Sequence, residues 1–357
     1  MASLGLGAVL GPEGPLILLG SGVAVWLMRL FKADVPAQGQ AMVGAAGSFA
    51  AVSTLLGPPI TGAFLLMEVS GIGGPMLGVV LVPGLLAAGT GSLVFVGLDN
   101  WTGLGTFSLA IPDVPQATSP TVTELGWALV IGLLAASVGT GSRKLSLLLQ
   151  ARAERHLIPA TVLMGLVVAG LAIAYAQGSG KAATEVLYSG QSALGPLLSN
   201  SAGYTVATLL LLLACKGLAY CASLSAFRGG PIFPAMFLGA AGGIALSHLP
   251  ELQLTSAFAM GIGAMSVAML KLPLTAVLLA TLLLGVQGLT VMPLVILAVV
   301  VAHVVTLRPA GPTPVHRRRP RRHDEPSGGR PIPSMGPSRG NRQQSPHSCS
   351  VTAADAR

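Results

Sequence analysis

The sequence predicts an all-α, polytopic membrane protein built from broken and re-entrant helices. Hydrophobic residues make up 52% of its 357 residues and charged residues only 9%, with a mean hydropathy of +0.75. Soluble domains carry about 25% charged residues, so this composition excludes a soluble enzyme. The 47 glycines suit close-packed membrane helices. The low aromatic content of 4% disfavours a lipid-facing β-barrel with aromatic girdles.

Short apolar segments separated by glycine and proline support this class of fold. We expect apolar segments near residues 14–31, 41–56, 60–69, 75–98, 122–141, 158–176, 202–222, 232–247, 256–270, 272–287 and 291–307. The clearest breaks are GPEGP at 11–15, GPP at 57–59, GGPIFP at 229–234 and KLP at 271–273. Several segments are too short to cross a hydrocarbon core, which requires roughly 20 residues. Such pieces are typical of half-helices that meet inside the membrane.

The charge distribution divides the chain into two parts. Residues 1–307 hold ten Lys and Arg against nine acids, whereas residues 308–357 hold ten Arg against three acids. We therefore expect a transmembrane domain over residues 1–307 and a disordered, basic tail rich in Pro, Arg and Ser over residues 308–357. The positive-inside rule places that tail in the cytoplasm. A short basic loop should lie there too, with Arg143, Lys144, Arg152 and Arg155.

The sequence offers no cofactor or metal site. Its three cysteines form no C-x-x-C pair, and no cluster of His, Cys and Asp has the spacing of metal ligands. We therefore expect no cofactor, no metal and no enzymatic activity. The excess of basic residues lies in the tail. We interpret these residues as determinants of membrane topology, with lipid or nucleic-acid binding as the alternative. The expected partner is the lipid bilayer, in the plasma membrane, and we expect no nucleic-acid partner.

Glu13 is the most informative residue. A carboxylate inside an apolar segment is unfavourable and marks a candidate functional site. Gly11, Pro12, Gly14 and Pro15 place it at a turn that opens a helix, where unpaired N–H groups and the helix dipole attract anions. The carboxylate can itself occupy such an anion site. The alternative is an acid that only caps its helix.

A second glycine-proline break opens another apolar helix in the later half of the chain, at Gly229-Gly230-Pro231-Ile232-Phe233-Pro234. It would direct backbone N–H groups toward the same point as the first break. The alternative is an ordinary Gly-Pro turn before a helix. Lys216 lies in the apolar run before this break, where it could pair with an acid, extend toward the membrane surface or take part in a pore.

Four motifs in this order resemble those of the CLC family of chloride channels and chloride/proton exchangers. GAVLGPEGP is similar to the family's G-[KR]-E-G-P signature, and FAAVSTLLGPPITGAFLLMEVSG to its next segment, a helix that ends in one or two acids. GGPIFP resembles the G-x-F-x-P motif. MGIGAMSVAMLKLPLTAVLLATLLL resembles the late segment that precedes the final helices. The resemblance covers about residues 4–307.

The resemblance implies an all-helical homodimer with inverted repeats and one pore in each subunit. It implies that Glu13 is the gating glutamate in a loop shaped by Gly11, Pro12, Gly14 and Pro15. The second anion-facing loop then consists of Gly230, Pro231, Ile232, Phe233 and Pro234. The dimer contacts are expected from residues 75–98, 122–141 and 272–287. No cofactor is implied, and the transported anion is chloride.

The sequence also departs from the family pattern. Pro12 replaces the usual basic residue before the glutamate, and Ile232 stands where the family has Phe. The family's early G-S-G-I-P motif and the tyrosine after its last helix have no counterpart. We therefore expect a divergent member that lacks the family's first helices and both side-chain hydroxyls of the central anion site.

One position bears on proton coupling. In the family's exchangers, the acid that ends this helix is followed directly by a second glutamate, which carries the proton. In this sequence the helix ends in LLMEVSG, where Glu68 matches the first acid and Val69 occupies the position of the proton glutamate. An aliphatic side chain cannot carry a proton. The sequence therefore predicts a channel-like anion transporter gated by Glu13. The alternatives are a chloride/proton exchanger and a truncated, non-conducting homologue.

Overall fold

The computed structural model describes residues 2–31, 35–71, 75–103, 109–154 and 156–307. The predicted tail, residues 308–357, and Arg155 lie outside these ranges. Within them the structure is helical, in agreement with the predicted fold class. The helices are α1 (Ala2–Gly5), α2 (Glu13–Phe31), α3 (Ala37–Leu56), α4 (Pro59–Ser70), α5 (Pro75–Thr102), α6 (Val122–Ala153), α7 (Leu157–Ser179), α8 (Leu194–Ser199), α9 (Val206–Ala226), α10 (Ile232–Ser247), α11 (Leu254–Leu270), α12 (Pro273–Leu283) and α13 (Gly285–Leu307).

The bundle combines long helices with short ones, as the glycine-proline breaks predict. Seven helices in the described ranges are long and apolar enough to cross a membrane: α2, α3, α5, α6, α7, α9 and α13. The helices α4, α10, α11 and α12 have only 11 to 17 residues. At 1.5 Å per residue they extend about 17 to 26 Å, less than a hydrocarbon core of about 30 Å. These four are the broken helices of the prediction.

Two boundaries differ from the sequence prediction. The expected basic loop is wrong, because Arg143, Lys144 and Arg152 lie on α6, which continues to Ala153. Residues 144–153 contain Leu, Gln, Ala, Lys and Arg without glycine or proline, and these residues favour a helix beyond the membrane-spanning part. The segment 272–287 is also interrupted, because α12 ends at Leu283 and Gly285, the first residue of α13, adopts φ +57°.

The same pattern opens a helix in each half of the chain. Residues 11–20 and 230–239 both read G-P-x-x-P-x-x-x-L-G. Each opens a helix that packs closely on the next one, α2 on α3 and α10 on α11, through a pair of glycines. A Cβ on Gly20 would collide with the Gly47 backbone, and one on Gly239 with the Gly261 backbone. Small residues thus allow the close helix contacts that stabilise membrane bundles.

Candidate anion site

The two predicted loops meet where α2 and α10 begin. Gly11 N–H donates to the Gly230 carbonyl and Gly230 N–H donates to the Gly11 carbonyl, both at 2.7 Å. This pair forms an isolated antiparallel β-bridge. It satisfies backbone groups that a membrane interior cannot hydrate. The bridge therefore fixes the starts of two helices, one from each half of the chain, against each other.

The Glu13 side chain fills the space between these helix starts. It is the first residue of α2 and is 2% exposed. Its Oε1 accepts a hydrogen bond from Phe233 N–H at 3.1 Å, whereas its Oε2 has no hydrogen-bond partner in the described part of the chain. A Cβ on Gly11 or on Gly230 would collide with this carboxylate. Glycine at both positions is what allows the carboxylate to lie here.

The start of α10 partly offsets the cost of burying the negative charge of Glu13. Phe233 is the second residue of α10, so its N–H belongs to the first turn, where the helix dipole is positive. A buried carboxylate without such a donor would be strongly unfavourable. Glu13 thus reaches from its own helix to another one, and its carboxylate occupies a position where that helix can bind an anion.

The other predicted residues shape the two loops. A Cβ on Gly14 would make ordinary van der Waals contact with Gly229, 3.8 Å from its carbonyl carbon. The Pro12 and Pro231 carbonyls accept from Leu16 and Ala235 N–H and so start α2 and α10. Ile232, Phe233 and Pro234 are buried in the first turn of α10, and Pro15 lies in the first turn of α2. Neither Pro12 nor Pro231 has an N–H to donate.

Glu68 and Val69 face different surroundings at the end of α4. Glu68 Oε1 accepts from Leu274 N–H at 3.0 Å. Its Oε2 accepts from the Thr275 N–H at 2.8 Å and the Thr275 hydroxyl at 2.6 Å. Glu68 therefore caps the N-terminus of α12, and capping by a carboxylate stabilises a helix start. Val69 is 61% exposed.

Three buried polar side chains of α9 contribute to the site, and sequence analysis missed the role of two of them. Lys216 is fully buried, so it does not extend to the membrane surface, and its Nζ donates to the carbonyls of residues 185–188 at 2.8 to 3.4 Å. The Tyr220 hydroxyl donates to the Pro231 carbonyl at 3.0 Å. Ser223 Oγ accepts from Val9 N–H at 3.0 Å. The signal in the sequence is polar residues spaced by four and three along an apolar helix.

A polar cluster lies at the loop that follows α7. Glu185 accepts hydrogen bonds from the hydroxyls of Tyr175 and Tyr204. The Lys181 ammonium lies 3.7 Å from the centre of the Tyr204 ring, a cation–π contact. Burial and the neighbouring Glu185 carboxylate raise the pKa of Tyr204 to about 12. No three His, Cys, Asp or Glu side chains lie together as a metal site in the described ranges.

Comparisons with known proteins agree with the observed fold. A family model described as "Voltage gated chloride channel" matches residues 1–307. The fold is similar to the crystal structure of a CLC-type fluoride/proton antiporter, with a TM-score of 0.63 and 24% identity over 84% of this chain and 71% of that one. It is also similar to a slow cyanobacterial Cl−/H+ antiporter, with a TM-score of 0.65 and 20% identity over 86% of this chain and 71% of that one. No curated protein matches the sequence.

Proposed function

Because the chain belongs to the voltage gated chloride channel family, we propose that it conducts chloride and similar anions across the membrane in a channel-like manner, gated by Glu13. One observation carries this proposal. The buried Glu13 carboxylate accepts from the Phe233 N–H at the first turn of α10, where a helix N-terminus can bind an anion. Carboxylate and chloride therefore compete for the same donors, and the pathway opens when the carboxylate leaves.

The proposed anion pathway uses backbone groups as its donors. The Phe233 N–H is available once Glu13 withdraws, and the first turn of α10 supplies a positive dipole in a medium of low dielectric constant. Gly11, Pro12, Gly14 and Pro15 shape the loop that carries Glu13. Residues 230–234 shape the opposite loop. Donors that belong to fixed helix starts bind an anion without reorganising.

Channel activity is favoured over exchange by the side chains at the end of α4. Val69 has no titratable atom, and the Glu68 carboxylate is engaged by the backbone and hydroxyl of α12. The second candidate is a chloride/proton exchanger, because both similar solved structures carry the name antiporter. The third is a non-conducting homologue.

We further propose that the protein is a homodimer in the plasma membrane with its C-terminal end in the cytoplasm. The proposed contact uses residues 75–98, 122–141 and 272–287. Large apolar side chains of α5 and α6 face outward, among them Leu86 and Leu133, which suits contact with lipid or with a second copy. Light scattering in mild detergent, corrected for bound detergent, should give twice the chain mass; a monomer mass contradicts the dimer.

Chloride efflux from proteoliposomes tests the function. We expect efflux above that of protein-free liposomes for the wild type and a higher rate for Glu13→Gln and Glu13→Ala, because neither side chain brings a negative charge to the α10 N-terminus. Glu154→Gln is the matched control, since Glu154 is exposed and directly follows the last residue of α6. Absence of efflux from wild type and both Glu13 variants would favour the non-conducting homologue.

A further inference from the structure

The helix α9 carries a buried polar face. Lys216, Tyr220 and Ser223 are each fully buried, although most of the helix is apolar. Their spacing of four and three residues places them on one side of the helix. Buried polar groups need partners, and each of the three finds its partner on a different segment of the chain.

Two of these contacts flank the bridge at the anion site. Ser223 Oγ binds the N–H of Val9, two residues before Gly11. The Tyr220 hydroxyl binds the carbonyl of Pro231, the residue after Gly230. One helix therefore anchors both loops whose glycines form the reciprocal hydrogen bonds. The Glu13 side chain lies between those loops.

The contact of Lys216 supports the segment just before the first loop, near Gly7. Lys216 Nζ holds the carbonyls of residues 185–188, and the N–H of Tyr188 donates to the Gly7 carbonyl at 3.3 Å. The ammonium also lies 4.4 Å from the centre of the Phe237 ring on α10. Lys216 thus contacts residues 185–188, which bind the chain just before the first loop, and it also contacts α10, which follows the second loop.

We propose that Tyr220 and Ser223 are positioning residues for the anion site, with Lys216 supporting the same arrangement. Their hydroxyls hold both loops against α9 and so support the Gly11–Gly230 bridge, with the Phe233 N–H directed at the Glu13 carboxylate. No peptide N–H is available at Pro231 to hold this point of the second loop. The hydrogen bond from Tyr220 to the Pro231 carbonyl is the side-chain contact from α9 that holds this point of the loop. The effect on anion binding rests on the proposed function, whereas the positioning of the two loops by α9 does not depend on it.

Hydrogen exchange tests the structural part. Mass spectrometry of the full chain in detergent would follow peptides that cover residues 5–16 and 226–236 in wild type, Tyr220→Phe and Ser223→Ala. We expect exchange at these peptides to become about tenfold faster in both variants, because each releases one loop of the bridge. Ser225→Ala is the matched control, since Ser225 donates only within its own helix, to the Ala222 carbonyl. Wild-type exchange in both Tyr220→Phe and Ser223→Ala would overturn the proposal.

Anion affinity tests the functional part. We expect the chloride dissociation constant to rise about three- to tenfold in Tyr220→Phe and in Ser223→Ala, the loss of one hydrogen bond. Ser223→Thr keeps a hydroxyl and should restore both the affinity and the exchange protection, which a mere loss of packing would not allow. Combination with Glu13→Gln should give non-additive changes in affinity; additive changes overturn the positioning role. If wild type neither binds nor transports chloride, the proposed function fails, while hydrogen exchange still decides whether α9 positions the loops.

Discussion

Oε1 of Glu13 and the N–H of Phe233 form a hydrogen bond of 3.1 Å across a sequence separation of 220 residues. Glu13 starts α2 and Phe233 lies in the first turn of α10. The two helices open with the same sequence pattern, and their starts are held together by Gly11 and Gly230. A negative charge from one half of the chain thus lies at the positive end of a helix from the other half.

Protonation of Glu13 should open the proposed pathway. A protonated carboxyl no longer competes as an anion for the Phe233 N–H, so we expect chloride flux in proteoliposomes to rise as the pH falls. Each step of about 1.4 kcal/mol by which the α10 N-terminus prefers the carboxylate over chloride corresponds to about tenfold in their relative occupancy of the site. Glu13→Gln should be fast at every pH. Equal chloride fluxes in wild type and Glu13→Gln, both independent of pH, would contradict a gating role.

Gly230→Ala should disturb the site through a steric conflict with Glu13. The added Cβ would collide with the carboxylate, so the side chain or the loop must move, and we expect a loss of about 1 to 3 kcal/mol of stability. Unfolding in detergent, followed by the melting temperature, measures this loss.

Two further variants make this test specific. Gly242→Ala lies on α10, the helix that follows Gly230; its added Cβ meets nothing within 4 Å, so the variant should be neutral or stabilising. Glu13→Ala removes the group with which the Cβ collides, so it should restore much of the stability that Gly230→Ala loses. A double variant as unstable as Gly230→Ala would show that the conflict lies elsewhere.

Glu68→Gln should destabilise the protein by about 1 kcal/mol, because a neutral amide caps α12 less well than a carboxylate. Thr275→Val should have an effect of similar size, since it removes the hydroxyl that donates to Glu68. The double variant should show coupling of about 0.5 kcal/mol or more. Glu251→Gln is the control, because Glu251 is exposed in the loop before α11. Additive effects of the two substitutions would argue against the cap.

The order and type of the helices could be predicted because their signals are local. Nine of the eleven predicted segments match a helix within four residues at both ends, whereas α13 begins six residues before its predicted start. The end of α6 was missed because hydropathy detects apolar stretches and not helical conformation. A helical extension with charged residues, such as residues 144–153, was therefore predicted to be a loop. Hydropathy alone does not predict how far a helix continues beyond its apolar part.

The candidate site divides in the same way. The chemistry of Glu13 could be inferred, because a carboxylate at a helix start in an apolar run is unusual in itself. The second glycine-proline break and the family resemblance predicted that the loop with Phe233 faces the same point, but they did not identify the hydrogen bond from the Phe233 N–H to Glu13. The roles of Tyr220 and Ser223 were missed. Ser223 binds Val9, 214 residues away, and Tyr220 binds the Pro231 carbonyl across the turn between α9 and α10, whereas the sequence shows only polar residues on a helix.

Anion movement should not drive protons, provided that the protein conducts. Coupled exchange requires a group that takes up a proton from the cytoplasmic side and passes it toward Glu13, and a carboxylate can do so because its surroundings can shift its proton affinity. Val69 has no such group. Glu68 is adjacent, but neighbouring side chains on a helix point about 100° apart, and its two oxygens already accept three hydrogen bonds from Leu274 and Thr275.

A proteoliposome with a chloride gradient and a pH-sensitive dye in its lumen measures this coupling directly. We expect a clear chloride flux beside a flat pH trace in the absence of an uncoupler. Glu68→Gln should leave the trace flat, because the residue acts as a helix cap. Uphill proton movement in wild type would replace the channel by the exchanger. Loss of that movement in Glu68→Gln would then identify Glu68 as the relay and show that the carboxylate can leave the α12 N-terminus during transport.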